Sequence, residues 1–289
     1  FAVNRRSFLS TQGAAASEAA PSQSALSAWL IKHHGPAQIV ASEGFNRWLV
    51  PPAAISFHLC LGSVYAWSIL NAPLTKTLGV VGSSALDWTL GGVVPIFSTA
   101  IFFLGASSAV AGRHLDRFGP RLFGLASAAL WGGGHLVSAL GVYTHCLPLL
   151  YLGYGVMGGI GLGLGYLAPV GLLMSWFPER RGMATGMAIM GFGGGAIVAT
   201  PVMEMLLRAF RIAPTFAGNA EGLGRSVGAD GARLLEIGGS QVEVVAASTK
   251  DLVSFPGLQE GLYVVGSGDV GLASTLACLG ASYALIMAS

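Results

Sequence analysis

Among the side chains that can hydrogen-bond or carry a proton inside otherwise apolar stretches of this 289-residue sequence are His58, Tyr65, His135 and Tyr166. Polar and ionisable groups are expensive at membrane depth, so each marks a candidate position in a substrate cavity or proton pathway. His58 and Tyr65 are seven residues apart, which at about 100° per helical residue leaves them about 20° from a common face. Histidine changes charge near neutral pH, so His58 could carry a proton. The same imidazoles could equally be neutral hydrogen-bonding links between helices. The sequence pairs no nucleophile with a base and no two carboxylates. Cys60, Cys146 and Cys278 lie far apart without ligand spacing and read as ordinary thiols. Gly191-x-Gly193-x-x-Ala196 mimics a dinucleotide loop, but it lies in an apolar run with no preceding strand. We therefore expect no enzyme, no cofactor and no metal. A net charge of +2, with no basic run longer than two, argues against a nucleic-acid partner.

A second constellation is charged: Gly112-Arg113-His114-Leu115-Asp116-Arg117-Phe118-Gly119-Pro120-Arg121. Trp88 to Gly112 contains no Asp, Glu, Lys or Arg, and neither does Leu122 to Pro178. A short charged turn bounded by glycines between two such runs holds two membrane-crossing helices close together at one face of a bilayer. Gly112, Asp116, Arg117, Gly119 and Arg121 are its candidate gating residues.

The elements that position these residues follow from composition. Charged residues make up 10% of the chain, hydrophobic residues 53%, and the mean hydropathy is +0.66, where soluble domains carry about 25% charge. A crossing helix needs about 20 apolar residues. Six spans are expected: Leu49 to Asn71, Leu90 to Gly112, Leu122 to Tyr143, Leu149 to Phe177, Gly182 to Met203 and Val270 to Ser289. The runs are continuous rather than alternating, which argues against a barrel. Pro51, Pro52 and Pro148 fall at helix starts, and Pro95 and Pro169 lie inside spans, where they predict kinks. Gly155, Gly159 and Gly163 recur every four residues on span 4, a close-packing face, with Tyr166 expected on the same stripe. Arg47, Arg113, Arg117, Arg121, Arg180 and Arg181 fall at one end of the spans and Lys76 at the other. Positive residues stay inside, so the N-terminus faces the cytoplasm or its organellar equivalent.

Residues 1–46 are Ser/Ala-rich and read as a disordered tail or a transit peptide. Residues 47–203 hold spans 1–5. Residues 204–269 are an extramembrane insert, and residues 270–289 are span 6. Within the insert, residues 233–237, 241–245 and 261–265 alternate apolar and polar side chains and read as short strands, or else the segment is a disordered loop. The chain opens on Phe1 and closes in an apolar run at Ser289, so we expect a fragment of a longer protein, open at both ends.

The pattern G-x-x-x-D-R-x-G-x-R at residues 112–121 resembles the loop between helices 2 and 3 of the major facilitator superfamily. Trp176 to Gly186, Tyr151-Leu152-Gly153, Gly158-Gly159-Ile160-Gly161 and Gly191-Phe192-Gly193 resemble the oxalate:formate antiporter family and its monocarboxylate-transporter relatives. The resemblance runs from about Arg47 to Pro201. It implies an all-α integral membrane fold, a six-transmembrane-helix bundle that is half of a twelve-helix transporter, here with a small external α/β or β-rich insert. It further implies alternating access for a small carboxylate, with Asp116 in a charge network that latches helices at one membrane face. Tyr65 and Tyr166 fall where that family lines its central cavity with aromatic side chains. The implied partners are a small carboxylate substrate, the lipid bilayer and a C-terminal six-helix half outside this chain. A sugar or drug substrate, or a non-transporting sensor or scaffold on the same fold, stays open, as does the choice between the plasma membrane and a mitochondrial or plastid inner membrane.

Overall fold

The computed structural model describes residues 44–219, 226–227, 232–237, 240–247, 249–252, 255 and 257–289. The expected tail or transit peptide therefore lies outside the described residues except for its last few positions.

The apolar runs fold as helices: α1 (Val50–Gly62), α2 (Ser68–Leu74), α3 (Leu90–Ala111), α4 (Leu115–Tyr143), α5 (Leu147–Leu150), α6 (Gly159–Trp176), α7 (Arg181–Phe210), α8 (Thr249–Leu252) and α9 (Leu272–Ala288). Among the described residues, five helical stretches are long and apolar enough to cross a membrane, and Leu272–Ala288 is a shorter apolar helix. Pro51, Pro52 and Pro148 occupy first turns, where a missing N–H leaves no helical bond broken.

Three spans depart from simple rods. Span 1 is not continuous. A 3-10 turn at Ser63–Ala66 separates α1 from α2, and the Ser63 hydroxyl donates to the Cys60 carbonyl at 2.7 Å, competing for an acceptor of the helix ladder. Span 4 opens with a π-helical stretch, Tyr151–Gly158, between α5 and α6. Span 5 runs on past Met203 to Phe210. There an i,i+4 pair, Glu204 with Arg208 at 3.7 Å, extends the helix beyond its apolar part.

The most extensive pairings join α4 with α9, α1 with α7, α4 with α6, and α3 with α6. Glycines set two of these approaches. A Cβ at Gly155, Gly159 or Gly163 would meet Thr99 at 3.0 Å, the Ala100 carbonyl at 2.6 Å or the Ser107 hydroxyl at 2.0 Å, so the expected glycine stripe packs on α3. The α1–α7 crossing is tighter still. A Cβ on Gly195 would lie 2.4 Å from the Gly62 carbonyl carbon, and one on Gly62 would lie 1.9 Å from the Phe192 carbonyl oxygen. Gly191 and Gly195 share that face of α7.

The insert forms a five-stranded antiparallel sheet of β1 (Phe216–Gly218), β2 (Ser226–Val227), β3 (Arg233–Ile237), β4 (Ser240–Ala247) and β5 (Gly261–Val264), in the order β1-β5-β4-β3-β2. All three alternating segments become strands, in the register Leu235 to Val242 and Val245 to Tyr263. The sheet docks on the loop between α2 and α3. Val81 is buried with Val245, Ala247 and Tyr263, the Gly266 amide donates to the Leu78 carbonyl at 2.9 Å, and the Ala85 amide donates to Glu243 Oε1 at 2.9 Å. Asp87 shapes that loop by accepting from the Thr77 hydroxyl and from the amides of Leu78, Gly79 and Ser84 at 2.8–3.1 Å.

Candidate functional site

His58 comes from the middle of α1 and is fully buried. Its Nδ1 lies 2.9 Å from the Ala188 carbonyl on α7, and its Nε2 lies 3.4 Å from the Tyr166 carbonyl on α6. A neutral imidazole has one N–H and can donate to one of these carbonyls at a time, whereas a protonated ring donates to both. The His58 ring stacks on Tyr166 at 5.7 Å, and Phe192 meets it edge-on at 6.1 Å.

Phe192 is the hub. Its ring centroid lies 5.4 Å from Tyr65 and 5.3 Å from Tyr166, both in edge-to-face contacts, a favourable geometry for aromatic pairs. The structure therefore joins His58, Tyr65 and Tyr166 through a residue on a third helix. Tyr65 is 49% exposed and Tyr166 half-buried, while Phe192 is buried. The cluster thus runs from the bundle interior to its surface. Tyr65 stands in the 3-10 turn Ser63–Ala66, where span 1 is interrupted.

Tyr166 does not follow the glycine stripe. Gly155, Gly159 and Gly163 face α3, whereas the Tyr166 ring meets α1 and α7. Tyr166 stands three residues past Gly163 in the regular helix, about 60° round from it, and its long side chain reaches α1 and α7. His135 stands elsewhere. It is 1% exposed, its Nδ1 donates to the Trp131 carbonyl at 2.8 Å, and its ring contacts are with Trp131, Tyr154 and Tyr283. Phe192 was missed in the sequence. Its signals there are that it sits inside the family-like Gly191-Phe192-Gly193 and is the only aromatic residue in the glycine-rich stretch of span 5.

The charged turn is wound rather than looped. Gly112–His114 form a 3-10 turn and α4 starts at Leu115, so Asp116 and Arg117 sit on its first turn. Gly119 then breaks the helix with φ 78° and ψ 160°. The residue before a proline avoids helical ψ, and this positive φ favours glycine, so Pro120 and Arg121 restart the helix after the break. Gly112 has ordinary helical angles, and a Cβ there would meet nothing within 4 Å, so the expected need for glycine at both ends holds only at Gly119. Arg113, Arg117 and Arg121 are exposed.

The α6–α7 turn lies at the same end of the bundle. Arg47 pairs with Glu179 at 2.5 Å and stacks on Phe177 at 5.1 Å, while Trp48 packs on Phe177 at 5.1 Å. The start of span 1 is thereby tied to the junction of spans 4 and 5.

The sequence profile of the Major Facilitator Superfamily matches residues 52–220, more than half of the chain. The chain is 34% identical over 171 residues to the uncharacterized MFS-type transporter YhjX of Escherichia coli, covering 59% of this chain and 40% of that protein. It is 26% identical to apicoplast pyruvate carrier 1 of Toxoplasma gondii, covering 65% and 41%. It is 27% identical to the oxalate:formate antiporter of Oxalobacter formigenes, covering 59% and 38%. The chain thus matches about two fifths of the length of each of these relatives.

Proposed function

Since this chain belongs to the major facilitator superfamily and is an integral multi-pass membrane protein, we propose that it forms the N-terminal half of a secondary transporter for small carboxylates. The observation that carries this reading is the cluster of His58, Tyr65, Tyr166 and Phe192, which runs from the bundle interior to a half-exposed tyrosine. Aromatic walls suit a small solute with a flat, partly apolar body. The named relatives that carry pyruvate, oxalate and formate support a carboxylate as that solute. A buried anion needs a compensating charge, and α1, α6 and the stretch of α7 around Phe192 contain no Lys or Arg. The cation comes from a second six-helix half, and the two halves alternate access to a site between them. The insert sheet lies outside the membrane on the face opposite Arg47, Asp116 and Glu179, and that charged end faces the cytoplasm or its organellar equivalent.

The test is uptake of labelled formate, oxalate and pyruvate by liposomes containing the full-length protein, with counter-substrate inside or a proton gradient imposed. Saturable uptake of at least one acid is expected. Transport of a neutral sugar with no carboxylate uptake would replace this substrate class.

A further inference from the structure

Five aromatic rings meet where spans 1, 3, 4 and 6 pack together. Trp67 and Tyr154 lie 4.4 Å apart between centroids, Tyr154 lies 5.4 Å from Trp131 and 5.3 Å from His135, and His135 lies 5.3 Å from Tyr283. All five are buried, Trp67 at 5% exposure and His135 and Tyr154 at 1% each. No Asp, Glu, Lys or Arg occurs in α1, α2, α6, α9, the π-helical stretch or α4 beyond Arg121, so the group is electrically neutral apart from its own titratable side chains.

The hydrogen-bond inventory is specific. Trp131 Nε1 donates to the Cys60 carbonyl at 3.1 Å, and His135 Nδ1 donates to the Trp131 carbonyl at 2.8 Å. With the proton on Nδ1, the other ring nitrogen of a neutral imidazole is an acceptor. Tyr283 Oη hydrogen-bonds with the Ser63 side chain, and three polar atoms are left: Trp67 Nε1, a donor; His135 Nε2, an acceptor; and Tyr154 Oη, which is both. Among the described residues none of the three has a hydrogen-bond partner. Buried polar atoms of this kind are partnered in folded proteins, by protein or by ordered water.

Both irregular helical segments converge here. Trp67 joins the 3-10 turn of span 1 to α2, and Tyr154 lies in the π-helical stretch of span 4. Such interruptions recur at functional positions in helices, and at membrane depth they need polar partners.

We propose that this cluster is a binding site for ordered water, bound by Trp67 Nε1, Tyr154 Oη and His135 Nε2. Water fits because it accepts from the indole and donates to the imidazole, while the hydroxyl can do either. Buried waters make about three such bonds. An ion has no counter-charge here.

Thermal unfolding of the purified full-length protein gives opposite signs for the two cases. Tyr154→Phe keeps the ring and deletes the hydroxyl. If water satisfies Oη, the substitution lowers Tm by about 2–4 °C. If Oη is bare, deleting it leaves Tm unchanged or raises it, and the site is refuted. A structure of the wild-type protein at a resolution that shows waters decides the matter should the variant fail to fold. Density within hydrogen-bonding distance of Oη and Nε2 is expected; a direct Tyr154–His135 hydrogen bond with no such density overturns the proposal.

Discussion

His58 faces two carbonyls with two ring nitrogens, one toward α7 and one toward α6. Taking up a proton changes the number of bonds it can donate from one to two, so the ring can tie span 1 to one neighbour or to both. His58→Ala is expected to flatten the pH dependence of uptake. An unchanged profile would leave His58 as a neutral link between helices. Tyr65→Phe and Tyr166→Phe each remove one hydroxyl, and a lost hydrogen bond of about 0.5–1.5 kcal/mol weakens substrate affinity about 2–10-fold. KM for the transported acid reads this directly. Asp116→Asn keeps size and removes charge on the first turn of α4; if Asp116 latches one access state, the variant keeps its expression level and loses most transport, about tenfold or more for an ionic contact of 1.5–3 kcal/mol. Wild-type uptake would reduce the turn to a topology signal. In the sequence, His58 and Tyr65 could be placed on one face because helical periodicity holds from α1 almost to Tyr65. Tyr166 was expected on the glycine stripe, but three residues past Gly163 it lies at the edge of that face, and its long side chain turns to α1 and α7 instead.

At the scale of elements, the apolar runs were readable to within a few residues, since length and lack of charge suffice to define a span. The glycine stripe of span 4 was readable as a packing face because Gly155, Gly159 and Gly163 keep the four-residue spacing, although α3 as its partner was not. The crossing of α1 and α7 escaped because its closest residues, Gly62 and Gly195, are far apart in sequence. Gly195→Ala tests that crossing. Its Cβ would lie 2.4 Å from α1 backbone, whereas a Cβ at Gly193 would meet nothing within 4 Å. Overpacking of this kind costs about 1–3 kcal/mol or more where only backbone can yield. Fluorescence size-exclusion of detergent extracts should show Gly195→Ala poorly folded and Gly193→Ala like wild type. Equal behaviour of the two would mean that the helices do not cross there.

On the scale of the whole molecule, the insert is part of the bundle's architecture rather than an appendage. Its three longest strands were legible from alternation, while β1 and β2 are too short to show a period. The docking of β4 and β5 on the α2–α3 loop left no local trace, because it joins residues distant in sequence. Val81→Asp puts a charge into that contact and forfeits about 1.5–3 kcal/mol of apolar burial, raising the undocked population roughly 10–100-fold. Limited proteolysis should then cut faster between residues 211 and 271, while the helices keep their wild-type protection. Unaltered cleavage would mean that the sheet holds its place without Val81.

That docking also sets an order of events during synthesis. Val81 precedes Val245 by 164 residues, and ribosomes add about 5–20 residues per second. The α2–α3 loop therefore waits roughly 10–30 s before the strand that buries it has been made. Throughout that interval Val81 lacks the strands that cover it and is open to chaperones and to other nascent chains. A translational pause placed before β4 would lengthen this exposure and lower the yield of folded protein without changing a single residue.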